Sequence, residues 1–258
     1  SLISAFQLDL TAETLHDFLL SMLLAFVIVL ACFFIPFFLL PEKDPIRKRI
    51  FCLAMALTNC NFMAFPLQTA LIGPTGIFYG SAYATVCPLL FWTGGVAYLT
   101  GDANSFSWRK ALCNPGIAGI ALGLFFFFSG INLPPVLMTV VDDISAMNIP
   151  LPMLLIGYQL SQANLHHVVA DRMSWVCALL RLVLLPLGAL MVMYLVGVRG
   201  SVLIATTVAA ACPAGTLVAM MAEKCNKGAR LAAELVSFQT LLSVITMPLV
   251  VGLAETLA

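Results

Sequence analysis

Two short stretches place hydrogen-bonding groups in the middle of otherwise apolar runs. The first is Leu57-Thr58-Asn59-Cys60-Asn61-Phe62-Met63-Ala64-Phe65-Pro66 and the second is Ala211-Cys212-Pro213-Ala214-Gly215-Thr216. Proline removes a backbone donor and clashes with the preceding turn, and glycine weakens a helix further, so both stretches predict helices interrupted midway. Where a helix restarts, its first N–H groups lack internal partners and carry roughly half a positive charge, which suits an anion. Thr58, Asn59, Asn61, Pro66, Pro213, Ala214, Gly215 and Thr216 are therefore candidate ligand-binding positions, with the Asn59 and Asn61 amides and the Thr216 hydroxyl as side-chain donors. Trp92, in Leu89-Leu90-Phe91-Trp92-Thr93-Gly94-Gly95, is either a cover for the organic part of a ligand or a core or lipid-facing aromatic.

Three charged residues also fall inside apolar runs. Arg181 lies about 12 Å into its run at 1.5 Å per residue, deep enough to be a functional group and near enough to the end to snorkel. Asp142 and Asp143 lie about 12 Å into another run. Neighbouring carboxylates repel there, which makes both candidate proton carriers; a later helix start would leave them at an interface. Arg181 joins them as a proton-coupling candidate.

The elements that must hold these groups follow from composition. Of 258 residues, 62% are hydrophobic and 9% charged, where soluble domains average about 45–50% and about 25%. The mean hydropathy is +1.05. So few charges cannot cover a soluble globule, which excludes a soluble enzyme and a disulfide-stapled secreted module and predicts a lipid bilayer as partner. The balance of 12 basic and 12 acidic residues argues against nucleic acid. The eight cysteines include no C-x-x-C pair and mostly sit in apolar runs, so no disulfide, metal site or cofactor is assigned.

Continuous apolar runs, unlike the alternation of a membrane barrel, predict an all-α polytopic membrane protein. Eight spans are expected, at about 17–41, 50–73, 76–99, 114–130, 134–160, 173–198, 200–223 and 230–256. The fourth is short, with Gly116, Gly119 and Gly123 suited to close helix packing. Ten basic residues (Lys43, Arg47, Lys48, Arg49, Arg109, Lys110, Arg172, Lys224, Lys227 and Arg230) fall in alternate links, whereas Arg199 is alone on the other side. The positive-inside rule makes the ten-residue face cytoplasmic and puts both chain ends outside.

Spans one to three and six to eight share one plan: an apolar helix, a basic or polar link, a helix broken midway, a short polar turn and a final helix. Five helices separate corresponding members, so the triplets enter the membrane from opposite sides. This is an inverted repeat with a discontinuous helix in each half, the pattern of secondary transporters that bind near the midplane. A five-span unit implies ten spans, and Ser1 to Leu10 then reads as the tail of a preceding helix.

Several stretches resemble the auxin efflux carrier family of membrane transporters, which includes plant PIN carriers and bacterial malate and malonate permeases. They are TNCNFMAFPLQTALIG at 58–73, LLFWTGG at 89–95, NPGIAGIALGLFFFFSGINLPPVL at 114–137, IPLPMLLIGYQL at 149–160, RLVLLPLGALMVMYLVG at 181–197 and ACPAGTLVAMMAEKCNKGARLAAELVSFQTLLSVITMPLV at 211–250. The resemblance implies ten helices in two inverted repeats, apparently without the first two here, and elevator-type exchange. On that plan residues 1–16 are a helix tail and outside link, 17–99 and 161–258 carry the transport-domain helices, and 100–160 a link and scaffold helices. Asn61 and Ala64 stand where relatives often have glycine, and Cys87 where an amide is common, which bears on the substrate.

The expected function is secondary transport of small organic anions, mono- or dicarboxylates, across a plasma membrane, with protons as a coupling partner and a homodimer as the candidate assembly. The alternatives are a sodium-coupled symporter of the bile-acid type, which needs carboxylates near the breaks, and a non-transporting membrane sensor or scaffold. No enzymatic constellation lines up at a shared depth.

Overall fold

Every described element of the computed structural model is helical apart from one isolated backbone bridge, and the model describes residues 12–102, 134–147, 150–162 and 165–258, with isolated positions between 118 and 129. Helix α1 (Ala12–Leu39) is one uninterrupted span. Helix α2 (Pro45–Ala56) starts where Asp44 accepts from the Ile46 amide at 2.8 Å and Pro45 fixes the first turn. It ends at Leu57, whose backbone is extended. The chain resumes as a π-helical turn at Cys60–Ala64 and continues as α3 (Phe65–Ile72). Gly73, at φ +65°, turns it into α4 (Pro74–Leu90), which runs through a second π-helical turn (Phe91–Gly95) into α5 (Val96–Thr100).

Beyond residue 134 come α6 (Pro135–Ala146), α7 (Pro150–Gln162) and the short α8 (His166–Ala170). Helix α9 (Arg172–Leu179), a π-helical turn at Leu180–Leu184 and α10 (Leu185–Leu195) form one continuous span. Helix α11 (Gly200–Ala211) stops at Cys212, α12 (Thr216–Lys224) restarts at Thr216, and α13 (Ala229–Leu257) closes the bundle.

Among the described residues four helices are long and apolar enough to cross a membrane: Glu13–Leu39, Pro74–Thr100, Arg172–Leu195 and Ala229–Leu257. The shorter apolar helices Cys60–Ile72 and Gly200–Ala211 belong to the two interrupted spans. The fifth expected span contains α6 and α7; residues 148 and 149 between them lie outside the described residues. Ser1 to Leu10, Arg109, Lys110, Cys113 and the glycines Gly116, Gly119 and Gly123 lie outside the described residues.

Helix α11 packs on α4 as well as on α13, and α4 packs in turn on α1 and α3, so the two halves of the chain interleave around one core. The outer faces stay apolar. Leu23 and Phe38 on α1 and Val244 and Leu249 on α13 are exposed, as lipid-facing positions should be.

The basic links converge on one end of the molecule. Arg47 donates to Glu42 at 3.1 Å and to Asp171 at 2.9 Å, joining the α1–α2 link to the start of α9. The Lys227 ammonium donates to the Thr100 carbonyl, joining the α12–α13 turn to the end of α5. Gly101 lies against the Arg49 guanidinium and Gly228 against Ile46 and Ile50, which brings all four segments together. At the far end the Tyr79 hydroxyl meets Asp17, and the Gly200 amide reaches the Ala258 carbonyl at 3.3 Å. Arg47, Arg49 and Lys227 thus lie at one end of the molecule.

Candidate functional site at the crossing of two broken helices

The two breaks meet. Thr58 and Ala214 form an isolated antiparallel bridge. The Asn59 amide donates to the Pro213 carbonyl at 2.9 Å, and the Gly215 amide donates to the Leu57 carbonyl at 2.9 Å. Each interrupted helix thus satisfies backbone groups of the other, which is what unwound chain away from water requires. Thr58, Asn59, Pro213, Ala214, Gly215 and Thr216 are all buried here.

The breaks have different local causes. Cys212, at φ −61° and ψ 147°, has the extended backbone imposed by the proline that follows it. The first break has no proline at its unwound residues. Pro66 stands in the first turn of α3, two positions after the π-helical turn Cys60–Ala64, and Pro186 stands two positions after the π-helical turn Leu180–Leu184. A proline that cannot donate to the preceding turn accounts for the widened hydrogen-bond ladder at both places. At the first break itself, Thr58 and Asn59 trade intrahelical pairing for the bridge to the second.

Gly215 makes the close approach possible. A Cβ there would stand 2.9 Å from the Thr58 carbonyl oxygen. Gln239 of α13 supports the crossing from behind: its Oε1 accepts from the Ala214 amide at 3.1 Å and its Nε2 donates to Cys177 Sγ at 3.4 Å. Gln68 of α3 donates to the Ala205 carbonyl of α11 at 2.8 Å, a second tie between the broken helices. Neither glutamine stood out in the sequence; the available signal was an amide in the middle of an apolar run.

Donors are left over at the crossing. Asn59 Nδ2 is buried without a hydrogen-bond partner, and the Thr58 hydroxyl has only the weak Cys60 thiol beside it. Arg181, in the third π-helical turn, is 0% exposed and donates from Nη1 to the Ala210 carbonyl at 3.1 Å, just before the second break. Its Nε and Nη2 have no partner. A fully buried guanidinium does not snorkel, so that reading of Arg181 is set aside.

The other candidates lie apart. Asn61 is exposed and Pro66 half-buried on the restarting helix. Trp92 is half-buried, packs edge-to-face on Phe91 with centroids 5.5 Å apart, and has no partner for its buried Nε1. Phe91, Thr93, Gly94 and Gly95 line an apolar cleft of about 210 Å³ together with Ala56 and Leu57, so the Trp92 turn borders the first break. Asp142 and Asp143 are exposed on α6. Among the described residues no cluster of His, Cys, Asp or Glu could hold a metal ion.

An uncharacterized transporter of Methanothermobacter thermautotrophicus is 27% identical over 198 residues, which is 76% of this chain and 65% of that protein. The chain thus spans just under two thirds of that relative. Residues 1–106 and 99–251 match the family described as membrane transport protein. With nearly all of its length covered by that match, the chain belongs to the membrane transport protein family.

Proposed function

We propose that the chain forms the substrate-carrying part of a secondary transporter for small organic anions, mono- or dicarboxylates, working by elevator-type alternating access. The observation that carries this reading is the pairing of the two breaks through Asn59, Pro213, Leu57 and Gly215. It brings the starts of two half-helices together beside unpartnered amide and guanidinium donors. Such an arrangement holds an anion through backbone dipoles and fixed donors. In this reading spans one to three and six to eight are inverted repeats that move together, 100–160 belongs to the scaffold, both chain ends lie outside a plasma membrane, and Asp142 and Asp143 are the groups to examine for proton coupling.

The test is uptake and efflux of labelled malate, malonate and indole acetate in proteoliposomes, with and without proton, sodium and potential gradients. Gradient-dependent movement of at least one carboxylate is expected. Movement of none, under any gradient, overturns the assignment, and strict sodium dependence transfers it to the bile-acid-type symporter.

A further inference from the structure

A crossing of two broken helices has no inherent preference for negative charge. Four half-helix ends meet: the amino ends at Cys60 and Thr216 carry partial positive charge, and the carboxyl ends at Ala56 and Ala211 carry partial negative charge. The same geometry can hold a cation on its carbonyls or an anion on its amides.

In this chain the bonds between the breaks use amides and carbonyls in equal number: the Leu57 carbonyl accepts from the Gly215 amide and the Pro213 carbonyl from the Asn59 amide. Arg181 adds a positive charge on the carbonyl side, donating to the Ala210 carbonyl. The donor side keeps Asn59 Nδ2 and Arg181 Nε and Nη2 without partners. Arg181 is 0% exposed and within charge–charge range of Cys60 and Cys212, which flank the two breaks, and of Tyr83. Among the described residues no carboxylate pairs with Arg181. A buried cation whose described partner is a single carbonyl is costly, and an anion arriving from outside offsets that cost.

We infer that Arg181 is the residue that sets the charge selectivity of the crossing, cancelling its carboxyl-end dipoles and leaving a net positive site that accepts an anionic carboxylate and rejects cations and neutral analogues. This rests on the organic-anion reading above and assigns its selectivity to one side chain, which acts as a fixed charge and not as a proton carrier.

The test uses the intact protein in detergent, with thermal unfolding followed while malonate, malate or indole acetate is titrated as the choline salt and sodium or potassium chloride serves as the cation probe. Carboxylates should stabilise the wild type. Apparent affinity should weaken at least about tenfold in R181Q and R181M, and stay within about threefold in R181K, which keeps the charge but loses the planar fork. Equal affinity in R181Q and wild type overturns the inference. So does an R181K as weak as R181Q, and so does a wild type that no carboxylate stabilises. Misfolding of R181Q and R181M alongside a folded R181K overturns it in favour of a folding role. Uptake by wild-type proteoliposomes is read separately: absent uptake with charge-dependent binding rejects the transporter reading and leaves this inference standing.

Discussion

Asn59 and Pro213 are joined by one backbone bond, the Asn59 amide donating to the Pro213 carbonyl at 2.9 Å, while the Asn59 side chain is buried with its Nδ2 unpartnered. The backbone of this residue holds the crossing while its side chain is held in reserve. Asn59→Ala separates the two roles. Removing an unsatisfied buried donor should leave stability within about 1 kcal/mol of wild type, whereas carboxylate uptake should fall at least about tenfold. Unfolding in detergent and initial uptake rates measure the two; unchanged uptake would remove Asn59 from the site.

Gly215→Ala tests the close approach. The added Cβ would stand 2.9 Å from the Thr58 oxygen, and backbone cannot yield as a flexible side chain can. A loss of about 1–3 kcal/mol is expected, as for overpacking a core, together with loss of uptake. Wild-type melting behaviour in this variant would mean that the crossing is looser than described.

Gln239→Leu tests the support behind the crossing. It leaves the Ala214 amide buried without its acceptor, at a cost of about 1–3 kcal/mol. Gln239→Glu keeps an acceptor and should recover part of that loss. A leucine variant as stable as the glutamate variant would show that the amide finds another partner.

Acid should weaken the ion pair between Glu42 and Arg47 at the start of α2. Burial pulls the Glu42 carboxyl upward, but hydrogen bonds from the Asp44 amide, the Arg47 guanidinium and the Lys43 amide outweigh it and hold the group below its usual value. A carboxyl depressed on folding adds stability that is fully present above its unfolded value, near 4.5, and is lost as pH falls through the lower folded value. Melting of the wild type should therefore drop more steeply below pH 4.5 than melting of E42Q. Parallel curves for the two proteins would show that Glu42 carries none of this dependence.

Sequence and structure agree most closely where a property belongs to a whole segment. The four long spans and the placement of basic links depend on summed hydropathy and on Lys and Arg positions, which are read residue by residue. Partner choice is different. Gln239 is visible as an amide in an apolar run, but nothing local says that it faces Ala214. Proline was an uneven guide, because its effect depends on what else can satisfy the freed carbonyl. Pro36, Pro88 and Pro248 sit inside helices, Pro66 and Pro186 follow π-helical turns, and Pro213 ends a helix. Arg181 and the pair Asp142 and Asp143 had similar sequence depth; burial separates them, and burial comes from helices far away in the chain.

The bridge between Thr58 and Ala214 also imposes an order on biogenesis. When the first broken helix leaves the ribosome, the chain that will accept from Asn59 and donate to Leu57 has not yet been made. Until Gly215 arrives, those backbone groups need water or a temporary protein neighbour. The first break should therefore be the last part of its own span to settle into the bilayer, and a chain stopped before residue 213 should hold that segment at the insertion machinery in place of releasing it to lipid.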